Sequence, residues 1–236
     1  MLSEWTAECS HDAPTLIVPW FEDQSASPSE SSSGHLTKPG TGTRFFDLRA
    51  NPYDIAEITE AEHNPTLARA LRSLNATRSP YLTAKCDTWL LPASDQAETL
   101  KALRLELMLP EEDALHGFAS YIDILWRERS VFASAHQQQD RLDRIVRRAQ
   151  RLPHAETALE CVLRPAFLDL SGPLEGFAFT LYLTALGPEA ETAHHRWELA
   201  MDDIVTLLRS KDLEAARGSA TIDSTDAYPL RVRHLG

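Results

Sequence analysis

At 236 residues the chain can bury a sizeable core without covalent staples, and its three cysteines, Cys9, Cys86 and Cys161, are widely spaced with no C-x-x-C pair, which argues against a disulfide scaffold or a cysteine zinc site. A formal charge of -12 repels a phosphate backbone, so nucleic acid is not an expected partner. No apolar run reaches the roughly 20 residues of a membrane span, and "MLSEWTAECSHD" lacks the regions of a signal peptide, so a soluble cytoplasmic protein without a membrane partner is expected.

In chain order, "EWTAECS" and "TLIVPWF" are apolar stretches too short to form a core alone. They are expected to return to the body as strands, which makes residues 1–236 a single domain. Residues 25–43, "SASPSESSSGHLTKPGTGT", read as a flexible loop or linker. "TRFFDLRA" (43–50) reads as a short strand, and "NPYDIAEITEAEH" (51–63) as a turn leading into a helical segment. In "NPTLARALRSLNA", Asn64 is a natural N-cap and Pro65 a first helical residue, ahead of a stripe of Leu67, Ala70, Leu71 and Leu74.

A strand follows from Tyr81 to about Leu91. Residues 95–109 fit two templates: Leu100, Leu103 and Leu107 have helical spacing behind Ser94, while Leu103, Leu105, Leu107 and Leu109 alternate as in a strand; the helix is preferred. Residues 111–152 read as two helical segments, the first carrying Leu115, Phe118, Ile122, Leu125 and Phe132, with a break near "SAHQQQ". The arginines of "RLDRIVRRAQR" (141–151) then form a solvated helix face. Two strands, 157–170 and 176–186, meet at the turn-like "SGPLEG", and a last helix opens at Pro188 with Ala193, Trp197, Ala200, Met201, Ile204 and Leu208 on one stripe.

These elements predict an α+β fold, an antiparallel-rich sheet with helices mainly on one face. The strand-helix-strand-strand-helix order over residues 80–210 is that of ferredoxin-like domains, with extra N-terminal strands. A fourth strand is expected either from "YPLRVRHL" in the tail or from the N-terminal piece.

Lys85-Cys86-Asp87 looks like an activated thiol, but period-two alternation separates the three. Leu82, Ala84, Cys86, Thr88 and Leu90 form the core-facing set, and Tyr81, Thr83, Lys85, Asp87 and Trp89 the other. Cys161 joins the oily set through Leu159 and Leu163. A thiol in such surroundings is a poor nucleophile, because desolvation disfavours the thiolate.

The same alternation gathers Tyr81, Lys85, Asp87, Trp89, Glu160, Arg164, Thr180 and Tyr182 on a mixed polar and aromatic face. Cations to hold an anionic group, carboxylates for general base work and rings for stacking make this the candidate ligand site. The competing reading is a solvated face of cross-strand pairs, or a sheet that meets a second copy.

Cys9, His11, His194, His195 and Glu198 do not form the H-E-x-x-H pattern, and no metal is assigned. Asp123 and Arg127 read as an i, i+4 surface pair. There is no glycine-rich phosphate loop, G-x-S-x-G or dinucleotide fingerprint, and no cofactor is implied. The expectation is a non-catalytic domain that binds a small molecule or a protein partner and forms a homodimer. The alternative is an enzyme acting on a small polar substrate through Lys85, Asp87, Glu160 and Arg164.

Overall fold

A computed structural model describes residues 2–6 (as backbone alone), 15–20, 44–91, 105 and 116–210. Four long strands, β3 (Tyr81–Leu91), β4 (His116–Trp126), β5 (Thr157–Leu168) and β6 (Leu174–Gly187), pair antiparallel in the spatial order β5-β6-β4-β3. Both N-terminal stretches return as short strands parallel to β5. Strand β1 (Leu2–Thr6) runs along Ala158–Val162 and β2 (Leu16–Val18) along Ala166–Leu168, so the two share the outer lane of a mixed sheet curled into a half-barrel.

Between β2 and β3, a 3-10 turn (Pro52–Glu57) leads into α1 (Thr59–His63) and α2 (Pro65–Asn75). Asn64 caps α2 as expected, its side chain accepting from the amides of Thr66 and Leu67, which otherwise have no helical acceptor. At the other end Asn75 is buried. Its amide nitrogen donates to the Leu71 carbonyl and to Thr83 Oγ1, and its oxygen accepts from the Thr83 amide, tying the helix to β3.

Two sequence expectations need correction. Of the stretch 43–50, the described residues 44–50 form no strand: Arg44 makes a single bridge, and the chain then turns because Asp47 Oδ1 accepts from the Arg49 amide and from its Nε at 2.9 Å. Residues 116–126 are β4 rather than helix. Phe118, Ile122 and Leu125 have helical spacing, but β4 lies in the middle of the sheet with nearly every residue buried, and a strand buried on both faces has no polar alternation to reveal its period. The described elements from Tyr81 onward therefore run strand, strand, helices, strand, strand, helix, and the ferredoxin-like order expected from Tyr81 is not reproduced.

After β4 come a short α3 (Arg129–Phe132) and α4 (Ala135–Ala149), separated at Ser134, whose side chain caps α4. Helix α5 (Ala190–Leu208) follows β6. Helices α2, α4 and α5 cover one face of the sheet, where Leu71, Leu142, Trp197, Met201 and Ile204 pack on Ile122, Ile124, Leu163, Phe179 and Leu181. Each such side chain stabilises the fold by roughly 1.5–3 kcal/mol. The Trp197 indole also donates to Ser120 Oγ at 2.8 Å, which satisfies both polar groups inside the core.

A smaller apolar cluster of Leu16, Val18, Leu82, Leu125, Phe132, Ala166 and Ala178 occupies one end of the opposite face. Gly176 permits it: a Cβ there would lie 2.4 Å from the Phe132 carbonyl oxygen. No helix among the described residues is long and apolar enough to cross a membrane. The stretches 25–43, 95–109 apart from Leu105, and 228–235 lie outside the described residues.

Candidate functional site

Strand register builds the face opposite the main core as a series of rows. Leu82, Leu125, Ala178 and Arg164 form one, at the apolar cluster. The next carries Asp123, Thr180 and Val162, and beyond it Asp87, Tyr121, Tyr182 and Glu160 stand side by side across four strands. Trp89, Ala119, Thr184 and Ala158 make the last.

The second row is completed by an irregularity in β3. Thr83 pairs with Ile124 and Cys86 with Ile122, so Ala84 and Lys85 together stand opposite Asp123. A bulge of this kind leaves backbone groups unpaired and re-aims side chains. Trp20 Nε1 donates to the Ala84 carbonyl at 3.2 Å, and Lys85 Nζ lies 4.6 Å from the centre of the Trp20 ring. The bulge also inverts the alternation. Tyr81 and Thr83 precede it on the helix-covered side and Leu82 and Ala84 on the other, while Cys86 and Thr88 follow it on the helix-covered side and Asp87 and Trp89 on the other.

Asp123 is the polar centre of this face. It is 2% exposed and accepts the Thr180 hydroxyl at 2.6 Å, with Arg164 Nη1 at 3.4 Å from the same oxygen. Arg164 Nη1 also donates to Thr180 Oγ1 at 3.3 Å. Burial pushes the Asp123 carboxyl above its ordinary range, and the Thr180 hydrogen bond, Arg164 and Lys85 pull it back in that order. The residual rise shows desolvation winning over its partners. Arg164 thus reaches across from the first row and Lys85 stands on the far side, both serving a buried carboxylate.

The third row differs in character. The rings of Trp89 and Tyr121 are 6.3 Å apart and tilted by 56°, and those of Tyr121 and Tyr182 6.1 Å apart and tilted by 46°. Burial raises both phenol pKa values; for Tyr121 the charges of Asp123 and Asp87 add to the rise, and for Tyr182 that of Asp123. Both tyrosines are therefore neutral hydrogen-bonding groups at neutral pH. Asp87 is half-buried, with one oxygen accepting the Thr88 amide at 2.7 Å, and Glu160 is exposed.

Of the predicted site residues, Lys85, Asp87, Trp89, Glu160, Arg164, Thr180 and Tyr182 share this face. Tyr81 does not. It is fully buried among Trp126 and Phe179, and its hydroxyl donates to the Leu208 carbonyl at 3.2 Å, because the bulge displaces it from the set to which alternation assigned it.

Asp123 and Tyr121 are the residues that sequence reasoning missed. Read as helix, Asp123 had Arg127 as its partner; in the strand, Arg127 Nη1 instead donates to the carbonyls of Ala76, Thr77 and Ser79. The aromatic and β-branched run "YIDILW" after Gly117 was the available strand signal.

Cys86 packs against the main core, where burial, then Glu60, Asp87 and Asp123, push its thiol far up; Cys161 is buried and pushed up to about 12. His194 lies against Phe118 at 4.4 Å, and His195 is 3.7 Å from Glu198 on the exposed side of α5. Cys9 and His11 lie outside the described residues. Comparison with known proteins finds no matching family model, no matching curated protein and no matching solved structure.

Proposed function

We propose that the mixed face of the sheet binds a small molecule without transforming it. The carrying observation is the row Asp87, Tyr121, Tyr182 and Glu160, with the tilted Trp89 ring beyond it: three rings of low conformational freedom, polar tips and carboxylates on four neighbouring strands. Rings on a stiff platform offer contact area at little entropic cost. A binding role suits the acid-base chemistry better than catalysis does. Both described thiols and the Tyr121 and Tyr182 phenols are shifted toward their neutral, unreactive forms, and the one carboxyl with a raised pKa among the described residues is 2% exposed and bonded to Thr180.

Thermal-shift screening of the full chain against a metabolite library tests this reading. A hit is expected to lose its stabilisation in both Tyr121→Leu and Tyr182→Leu, and to be recovered chemically unchanged by mass spectrometry after prolonged incubation. Stabilisation that survives both substitutions rules out this face as the site, and turnover of the ligand favours the enzyme alternative.

A further inference from the structure

Helices α2 and α5, which cover the other face of the sheet, meet along a polar seam. Residues three and four apart share a helix stripe, and on these stripes the two helices pair turn by turn. Thr66 donates to Glu198 Oε1 at 3.0 Å, and Arg69 Nη2 donates to Asp202 Oδ2 at 3.0 Å. One turn further along the pairing stops. Ser73 on α2 and Thr206, Arg209 and Ser210 at the end of α5 share instead a cleft of about 540 Å³, to which the buried Ala70 and Val205 add an apolar lining.

The groups in this cleft are short of acceptors. The guanidiniums of Arg69 and Arg209 line it against the single carboxylate of Asp202, which Arg69 already holds. Among the described residues Arg209 has no ion-pair partner and Ser73 no side-chain hydrogen bond. Ser210 Oγ is shielded from solvent without a partner, an arrangement that costs free energy until a bonding group arrives. The donors are also held in place. Arg69 Nη2 is fixed by Thr66 Oγ1 at 3.0 Å, and the amides of Arg209 and Ser210 close the last turn on the Val205 and Leu207 carbonyls.

We propose that this cleft binds a small phosphomonoester, with its phosphoryl group on Arg69, Arg209 and the hydroxyls of Ser73 and Ser210, and its organic part against Ala70 and Val205. A phosphoryl group carries about 1.5–2 negative charges and three acceptor oxygens, enough to engage both guanidiniums and the hydroxyls despite Asp202. A carboxylate brings one charge and two oxygens. The volume lies within the roughly 300–1,000 Å³ of small-molecule sites, so there is room for more than a bare ion. The formal charge of -12 opposes binding only weakly, because charges beyond roughly 8 Å are screened at physiological ionic strength. The cleft is separate from the mixed face of the sheet, so neither assignment rests on the other.

Phenyl phosphate, inorganic phosphate and benzoate, each titrated into the full chain at constant ionic strength, test the proposal through the backbone amide resonances of Ser73, Arg209 and Ser210. Phenyl phosphate is expected to shift all three saturably and to bind more tightly than inorganic phosphate, with benzoate at least about tenfold weaker. Arg209→Gln should weaken phenyl phosphate about tenfold and Ser210→Ala about threefold, whereas Asp202→Asn, which removes the opposing charge, should tighten it about threefold.

No saturable shift at these amides, or affinity unchanged by Arg209→Gln, overturns the site. Weaker binding in Asp202→Asn overturns the charge argument on which it stands. Benzoate binding as tightly as phenyl phosphate overturns the phosphoryl assignment, and inorganic phosphate doing so overturns the role of Ala70 and Val205. Phosphatidylcholine vesicles containing phosphatidic acid should leave the chain in the supernatant on sedimentation; co-sedimentation lost in Arg209→Gln replaces the small molecule with a lipid headgroup and overturns the proposal.

Discussion

Thr180→Val is the sharpest test of the polar centre, because at nearly constant shape it removes the one hydroxyl that donates to Asp123 and accepts from Arg164. Thr180 is 1% exposed and its hydroxyl lies 2.6 Å from an oxygen of Asp123, itself 2% exposed. A hydrogen bond to a buried charged group contributes about 1.5–3 kcal/mol, and removing the donor leaves the acceptor desolvated. Arg164, at 3.4 Å, can take over part of the role, which places the expected loss near 2 kcal/mol at neutral pH. For a chain of this size that is a fall in Tm of roughly 4–8 °C.

The loss should depend on pH. Thr180 lowers the Asp123 pKa, so its removal raises the folded pKa further and the deficit grows as pH rises through that value. At acid pH, with Asp123 protonated, it should shrink to about 1 kcal/mol, the value of a neutral hydrogen bond. Urea unfolding followed by far-UV circular dichroism, repeated in an Asp123→Asn background, measures both terms. A deficit that is flat with pH, or undiminished in the Asn background, refutes the reasoning.

Asp123→Asn alone gives a complementary sign. The folded carboxyl keeps its proton above the ordinary 3.8, so between the unfolded and folded values the native state holds more protons, and stability falls as pH rises across that window. The stability of the native chain minus that of Asp123→Asn should therefore decrease with pH, and an increase measured by denaturant titration contradicts the assignment. Tyr81→Phe should cost about 1 kcal/mol by removing the donor to the Leu208 carbonyl, yet leave the stabilisation by a metabolite hit unchanged; altered stabilisation would restore Tyr81 to the site. Thiol labelling mapped by mass spectrometry should be slow at Cys86 and Cys161 in the native protein and fast only after unfolding, whereas rapid labelling of Cys86 at neutral pH overturns its packing against the core.

Elements whose boundaries are local chemistry were readable from the sequence. The α2 cap is one example: Asn64 followed by Pro65 specifies where the helix starts, because the side-chain oxygen supplies the acceptor that two amides lack. The hairpin of β5 and β6 is another, since both strands present one oily face to the helices and one mixed face away from them. Strand β4 was not readable. A strand flanked on both sides by other strands and packed on both faces carries apolar residues wherever they fall, and Phe118 and Ile122 then mimic a helix turn. Misreading that one segment displaced the whole predicted strand order.

A single inserted residue took Tyr81 off the face to which alternation assigned it. Simple alternation along β3 assumes an unbroken pleat, and on that assumption Tyr81 and Lys85 share a face; the two-against-one pairing of Ala84 and Lys85 with Asp123 separates them. Nothing in "YLTAKCD" announces the bulge, because its cause is tertiary. Asn75 holds Thr83 from one side, Trp20 takes the Ala84 carbonyl, and Lys85 sits over the Trp20 ring while neighbouring the buried Asp123 charge. The bulge therefore serves two needs at once. It lets Tyr81 and Thr83 anchor the strand to the helices, and it still delivers Lys85, Asp87 and Trp89 to the mixed face. A residue deleted between Thr83 and Cys86 should remove that freedom, forcing either the anchors or the site residues onto the wrong side.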